Sequence, residues 1–170
     1  MQISEQQKHS LYFLAYLLLG ILILNSTYLS YKYIHFFYGG NMLRALDCSD
    51  DCDSVMMSPY SLLFGIPVPI YGLLYFIALA AFFLLLTAYK QNHPLSKVAE
   101  LFISHDRYRL QQKLFEFMLI TGCIAALLFI YLLYIVLHMF CKFCMISHIS
   151  LFLFTLNYFF LLKRFSFKLD

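Results

Sequence analysis

The 170-residue chain contains no tryptophan, only 4 prolines and 6 glycines, and charged residues make up just 12% of it. Each scarcity excludes something. So few charges cannot cover the surface of a soluble domain when 62% of the residues are hydrophobic and the mean hydropathy is +0.76, so lipid is the expected solvent. Without tryptophan, the 14 tyrosines are left to supply the amphipathic anchors at the lipid–water interface. No internal repeat, low-complexity tract or linker divides the chain, whose length admits a single membrane domain over 1–170 without a further sizeable soluble one. The net charge of +3 is not a nucleic-acid signal, because the basic residues gather at the ends of apolar stretches. The first apolar run, 11–24, is followed by Asn25-Ser26-Thr27-Tyr28 and so lacks a small-x-small cleavage site. It reads as an uncleaved anchor rather than a signal peptide.

What is present are four uncharged apolar stretches, each near the roughly 20 residues a helix needs to cross hydrocarbon. They predict transmembrane helices over about 10–31, 69–89, 114–137 and 141–162. The charge-free run 54–89 is too long for one span, and Gly65, Pro67 and Pro69 divide it; a short interfacial half-helix is expected around 58–64. The expected architecture is an all-α integral membrane protein: a four-transmembrane-helix bundle with an external loop and that half-helix between helices 1 and 2. Lys8, the set Lys90, Lys97, Arg107, Arg109 and Lys113, and the set Lys163, Arg164 and Lys168 fall on one side. The other side carries only Lys32, Arg44 and Lys142, with Asp47, Asp50, Asp51 and Asp53. The positive-inside rule puts both termini in the cytoplasm. On that topology Cys48, Cys52, Cys141 and Cys144 share the external face, where an oxidising compartment permits disulfide chemistry.

Cys141-Lys142-Phe143-Cys144 opens the last helix. An i, i+3 spacing brings two helical Cα atoms to about 5–6 Å, within the range a disulfide accepts. The helix N-terminus stabilises negative charge and Lys142 adds a cation, so the position suits a thiolate that attacks or leaves in exchange. The competing readings are an inert structural disulfide or half of a zinc site, for which Cys48 and Cys52 would have to supply the other ligands. At an external membrane face beside a helix N-terminus, redox chemistry is favoured over metal. Cys48 and Cys52 sit among Asp47, Asp50, Asp51 and Asp53, whose charges disfavour thiolates there. That pair is better suited to being attacked by a partner's thiolate. The alternating Asp47, Ser49, Asp51 and Asp53 imitate a calcium loop, but Cys52 occupies the glycine position and Ser58 the closing-glutamate position.

His148 follows Cys141 and Cys144 by seven and four residues, on the same helical face. An ionisable group in a membrane helix is a functional candidate, here to hydrogen-bond a quinone carbonyl or relay its proton; the alternative is a histidine satisfied across the bundle. Cys123, beside Gly122, Ala125 and Ala126, reads as a small residue that allows close helix packing.

Taken together, these residues resemble the vitamin K epoxide reductase family in its bacterial form. The resemblance rests on Cys48 and Cys52, then Val55, Ser58-Pro59-Tyr60, Phe64-Gly65-Ile66-Pro67 and Gly72, and finally Cys141-x-x-Cys144 followed by Ser147-His148, and it covers roughly 10–165. It implies a four-helix bundle around a quinone, capped by the half-helix. It also implies that Cys48 exchanges with a thioredoxin-fold partner, Cys52 relays to Cys141, and Cys144 faces the quinone. Ser58 matches the family's loop serine; His148, Ser58 and Phe64 are the implied quinone contacts. Three features depart from the family pattern. Only three residues separate Cys48 from Cys52. No fused thioredoxin-like domain follows, so the expected partner is a separate periplasmic, DsbA-like protein. His148 stands where animal members carry tyrosine, which favours simple quinone reduction over epoxide chemistry.

The resulting expectation is a quinone-dependent thiol–disulfide oxidoreductase of the bacterial inner membrane, active on the periplasmic side, with ubiquinone or menaquinone as cofactor and neither metal nor nucleic acid as partner. It would be a functional analogue of DsbB, whose Cys-x-x-Cys lies instead in the first external loop. The direction follows from strongly oxidising donors poised near about −120 mV and coupled to quinone. The alternatives are a quinone or vitamin K epoxide reductase that supplies reduced quinone, and a membrane scaffold with structural disulfides.

Overall fold

The computed structural model describes residues 5–38, 55, 58–90 and 105–159. Four helices dominate them: α1 (Glu5–Tyr38), α2 (Val68–Lys90), α3 (His105–Tyr131) and α4 (Lys142–Leu156). Among the described residues, four stretches are long and apolar enough to cross a membrane: His9–His35, Val68–Ala88, Leu110–Val136 and Lys142–Phe159. No more than a third of any of these spans is buried inside the protein. The outward residues are large and apolar, such as Phe13, Leu24, Leu74 and Phe117. A helix apolar on every side has one face for its neighbours and the rest for lipid.

α1 packs on α2 and α4, and α3 packs on the same two helices. Successive helices run antiparallel, so the C-terminal ends of α1 and α3 lie with the N-terminal ends of α2 and α4. Polar side chains tie the pairs together. Ser26 Oγ donates to the Pro69 carbonyl at 3.1 Å, Tyr75 Oη to the Met118 carbonyl at 2.8 Å, and Asn157 Nδ2 to the Leu11 carbonyl at 3.2 Å. Around the start of α1, Phe83, Phe115 and Phe154 are fully buried and meet ring to ring with centroids 5.5–6.5 Å apart. This plug fills one half of the bundle.

Of the four expected spans, 69–89 agrees with α2 to within a residue at each end. α1 and α3 begin earlier than expected, at Glu5 and His105, and α1 runs on to Tyr38. At 34 residues α1 is about 50 Å long, against about 30 Å of hydrocarbon. The charges at its ends mark where the helix leaves lipid, not where it stops. α3 passes at Leu132–Val136 into a wider π turn, a form that recurs at functional sites. α4 likewise widens over 157–159, and the rest of its expected span lies outside the described residues.

The half-helix expected around 58–64 is narrower: a single 3-10 turn, Pro59–Ser61, followed by a two-residue strand pair. Ser58 closes the turn, with its hydroxyl donating to the Val55 carbonyl at 2.8 Å. β1 (Leu62–Leu63) then pairs antiparallel with β2 (Ile66–Pro67), joined through Phe64 and Gly65 at φ 52° and 79°. Two successive left-handed residues are the pattern of a type I′ hairpin turn.

Small residues set the helix spacing. A Cβ at Gly122 would run into the Tyr75 hydroxyl, so glycine is what lets that hydroxyl reach Met118. Gly122→Ala should therefore cost about 1–3 kcal/mol through overpacking. Thermal unfolding in detergent should show the loss, and adding Tyr75→Phe, which removes the colliding oxygen, should recover part of it.

Candidate active site

At the end opposite the aromatic plug, the bundle is hollow. Gly72, Gly122, Ala125 and Ala126 contribute little volume between the helices, and a cavity of about 470 Å³ remains. It is bounded by all four helices and by the Ser58–Ser61 turn, and both cysteines of α4 lie on its wall.

The local sequence places those sulfurs. Cys141 is extended (φ −91°, ψ 108°) and caps α4 from outside; its Sγ accepts a hydrogen bond from the Cys144 N–H at 3.4 Å. Cys144, one turn into the helix, directs its own Sγ at Cys141 Sγ across 2.9 Å. The two are thus adjacent thiols that need little motion to form a bond. Their exposures differ: Cys141 is 2% exposed, while Cys144 is only half-buried. Lys142, between them, is exposed.

His148, one turn beyond Cys144, also lines the cavity. Its ring lies nearly parallel to that of Phe129 on α3, with 14° between planes and 6.4 Å between centroids. Several hydroxyls on the wall are engaged by the protein itself. Ser26 donates to Pro69, Ser58 to Val55, Tyr75 to Met118 and Thr121 to Phe117, while Ser147 accepts from Asn25. The sulfurs and the imidazole thus face a largely apolar space. Such a space suits a flat, apolar ring with a few polar edges, and its volume lies within the range of about 300–1,000 Å³ typical of small-molecule sites.

Cys141, Cys144, His148 and Ser58, all expected at the site, do meet at this cavity, although the Ser58 hydroxyl is committed to its own turn. Phe64, the other residue expected at the site, is not among those that line the cavity. Its left-handed backbone at the hairpin tip turns the ring away from the bundle, and it is 93% exposed. Cys48 and Cys52 lie outside the described residues. Cys123 is a packing residue, with its Sγ donating to Thr155 Oγ1 on α4 at 3.4 Å. Phe129 and Asn25 were not expected. Nothing distinguishes Phe129 among 19 phenylalanines, whereas Asn25 carried a signal as an amide inside an apolar run. Among the described residues no three His, Cys, Asp or Glu side chains form a group able to hold a metal ion.

A vicinal thiol pair on the wall of an apolar cavity, inside four membrane-crossing helices, defines a membrane thiol oxidoreductase. A model of the vitamin K epoxide reductase family matches residues 11–158, nearly the whole chain. The chain belongs to that family, whose members are multi-pass membrane oxidoreductases linked in general to quinones. No curated protein and no solved structure matches it.

The unequal exposure of the two sulfurs has a direct consequence. In reduced protein carrying Cys48→Ala and Cys52→Ala, a small alkylating reagent should modify Cys144 before Cys141, as read by mass spectrometry of the peptide that contains both.

Proposed function

We propose that the chain oxidises the dithiol of a separate periplasmic thioredoxin-fold protein of the DsbA type and passes the electrons to a membrane quinone, supporting disulfide bond formation. The observation that carries this reading is the 2.9 Å approach of Cys144 Sγ to Cys141 Sγ on the wall of an apolar cavity that also presents His148.

In this scheme Cys48 and Cys52, in their acidic loop, meet the partner. A partner thiolate attacks their disulfide, and the partner leaves oxidised while both loop sulfurs are left as thiols. Cys52 then exchanges with Cys141, which regenerates the loop disulfide and leaves Cys141 and Cys144 reduced. Cys144, the less buried of the two, is the sulfur that faces the quinone. Phe129, His148 and Tyr75 would hold the ring, and the His148 imidazole is the group at the wall able to hold or deliver a proton. A quinone bound there supplies a sink for two electrons and two protons. The charge distribution supports a bacterial inner-membrane location with both termini in the cytoplasm and this site on the periplasmic side.

The test is reconstitution with a reduced thioredoxin-fold donor and ubiquinone or menaquinone, following thiol loss and quinone reduction together. One quinone should be reduced for each donor dithiol oxidised. Absence of quinone-dependent thiol oxidation by the wild type would refute the reading. Cys144→Ala should abolish quinone reduction, whereas Cys48→Ala should abolish the donor reaction yet leave Cys141 and Cys144 in equilibrium with quinone.

A further inference from the structure

Asn25 sits well inside α1, preceded by Ile21, Leu22, Ile23 and Leu24. Its side-chain amide crosses to the first turn of α4. Nδ2 donates to the Phe143 carbonyl at 2.7 Å and to Ser147 Oγ at 2.6 Å. Phe143 lies between the two active-site cysteines, and Ser147 is four residues further on. The amide thus straddles the first turn of α4 at positions i and i+4, the two positions that an α-helix joins with its own hydrogen bonds. The same stretch of α1 holds the Phe143 ring. Tyr28 lies against it at 5.0 Å between centroids, and Leu29 and Tyr33 pack beside it.

This turn governs the sulfur chemistry. Helix ends fray, and the N–H groups of a first turn have no intrahelical acceptor. Here the Cys144 N–H is directed at Cys141 Sγ only while Phe143 and Cys144 keep helical geometry. That hydrogen bond and the helix N-terminus stabilise negative charge on the Cys141 sulfur, and such charge exists only in the reduced pair. Stabilising the reduced form of a dithiol makes its disulfide a stronger oxidant.

We propose that Asn25 is a positioning residue that makes the Cys141/Cys144 disulfide more oxidising by clamping the first turn of α4. The proposal rests on the redox reading of that pair given above, but its test needs neither donor protein nor quinone. Purified protein in detergent, carrying Cys48→Ala and Cys52→Ala, is equilibrated with glutathione buffers. Two glutathione thiols are oxidised to glutathione disulfide as the Cys141–Cys144 disulfide is reduced to two thiols, so two electrons and two protons move between them. The thiols are trapped by alkylation and counted by mass spectrometry.

Asn25→Ala should shift the equilibrium about tenfold toward the protein disulfide, equivalent to about 30 mV. Asn25→Asp keeps the size of the side chain but removes the donor, and it should shift the equilibrium in the same direction, which guards against a folding defect in the alanine variant. Asn157→Ala breaks a different α1–α4 hydrogen bond, to the Leu11 carbonyl at the far end of the same helix pair. It should lower thermal stability without moving the equilibrium. An exchange-competent pair that neither Asn25 variant shifts would overturn this proposal alone. So would an equal shift in Asn157→Ala, which would trace the effect to general helix packing. A wild-type pair inert across all the buffers would remove the redox reading itself, and the proposal with it.

Discussion

Hydrocarbon offers no partner to a stray hydrogen-bonding group, and the arrangement of this bundle follows from that constraint. Several polar side chains buried among the spans end on another protein atom, commonly a carbonyl of the neighbouring helix. Ser26 reaches Pro69, Tyr75 reaches Met118, Asn157 reaches Leu11, and Asn25 reaches Phe143. Interhelical hydrogen bonds of this kind contribute about 0.6 kcal/mol on average in membranes. Their larger effect here is on register. Each bond selects one sliding position of one helix on another, and together they bring the start of α4 level with the middle of α1.

Within that frame, side-chain size decides what is filled and what is hollow. Around Phe83, Phe115 and Phe154 the space between the helices is occupied by buried rings in edge-on contact. At the other end Gly72, Gly122, Ala125 and Ala126 stand where large residues would close the space. Several hydroxyls around the cavity are consumed by the bundle's own hydrogen bonds, and the wall that sulfur and imidazole share is largely apolar. A site that moves electrons between a dithiol and an apolar acceptor needs that combination: a water-poor space with its few reactive groups directed inward.

Both the fold and the site were legible in the sequence wherever the relevant physics is local. α2 matched its expected bounds because Pro67 precedes it, Pro69 sits in its first turn, where proline is tolerated, and Lys90 closes the apolar run. α1 and α3 extended past theirs because hydropathy reports the thickness of lipid and not the length of helix. The hairpin at Leu62–Leu63 and Ile66–Pro67 escaped notice because two-residue strands have no periodicity to read, and Gly65 was its only mark. Phe64 was assigned to the cavity by its place in a motif, but the left-handed turn through Phe64 and Gly65 directs it elsewhere. Asn25 and Phe129 act on residues more than a hundred and nearly twenty positions away, and no spacing rule covers such pairs.

The sequence by itself determined that the chain crosses a membrane four times and that Cys141, Cys144 and His148 share one helical face. Composition and the 3.6-residue period suffice for both conclusions. The tertiary structure decided that this face looks into a cavity, that Cys141 is buried while Cys144 is less so, and that Asn25 grips the turn between them. Those properties depend on which helix lies against which, and at what height. In lipid, that is settled by small residues and interhelical hydrogen bonds whose partners lie far apart along the chain.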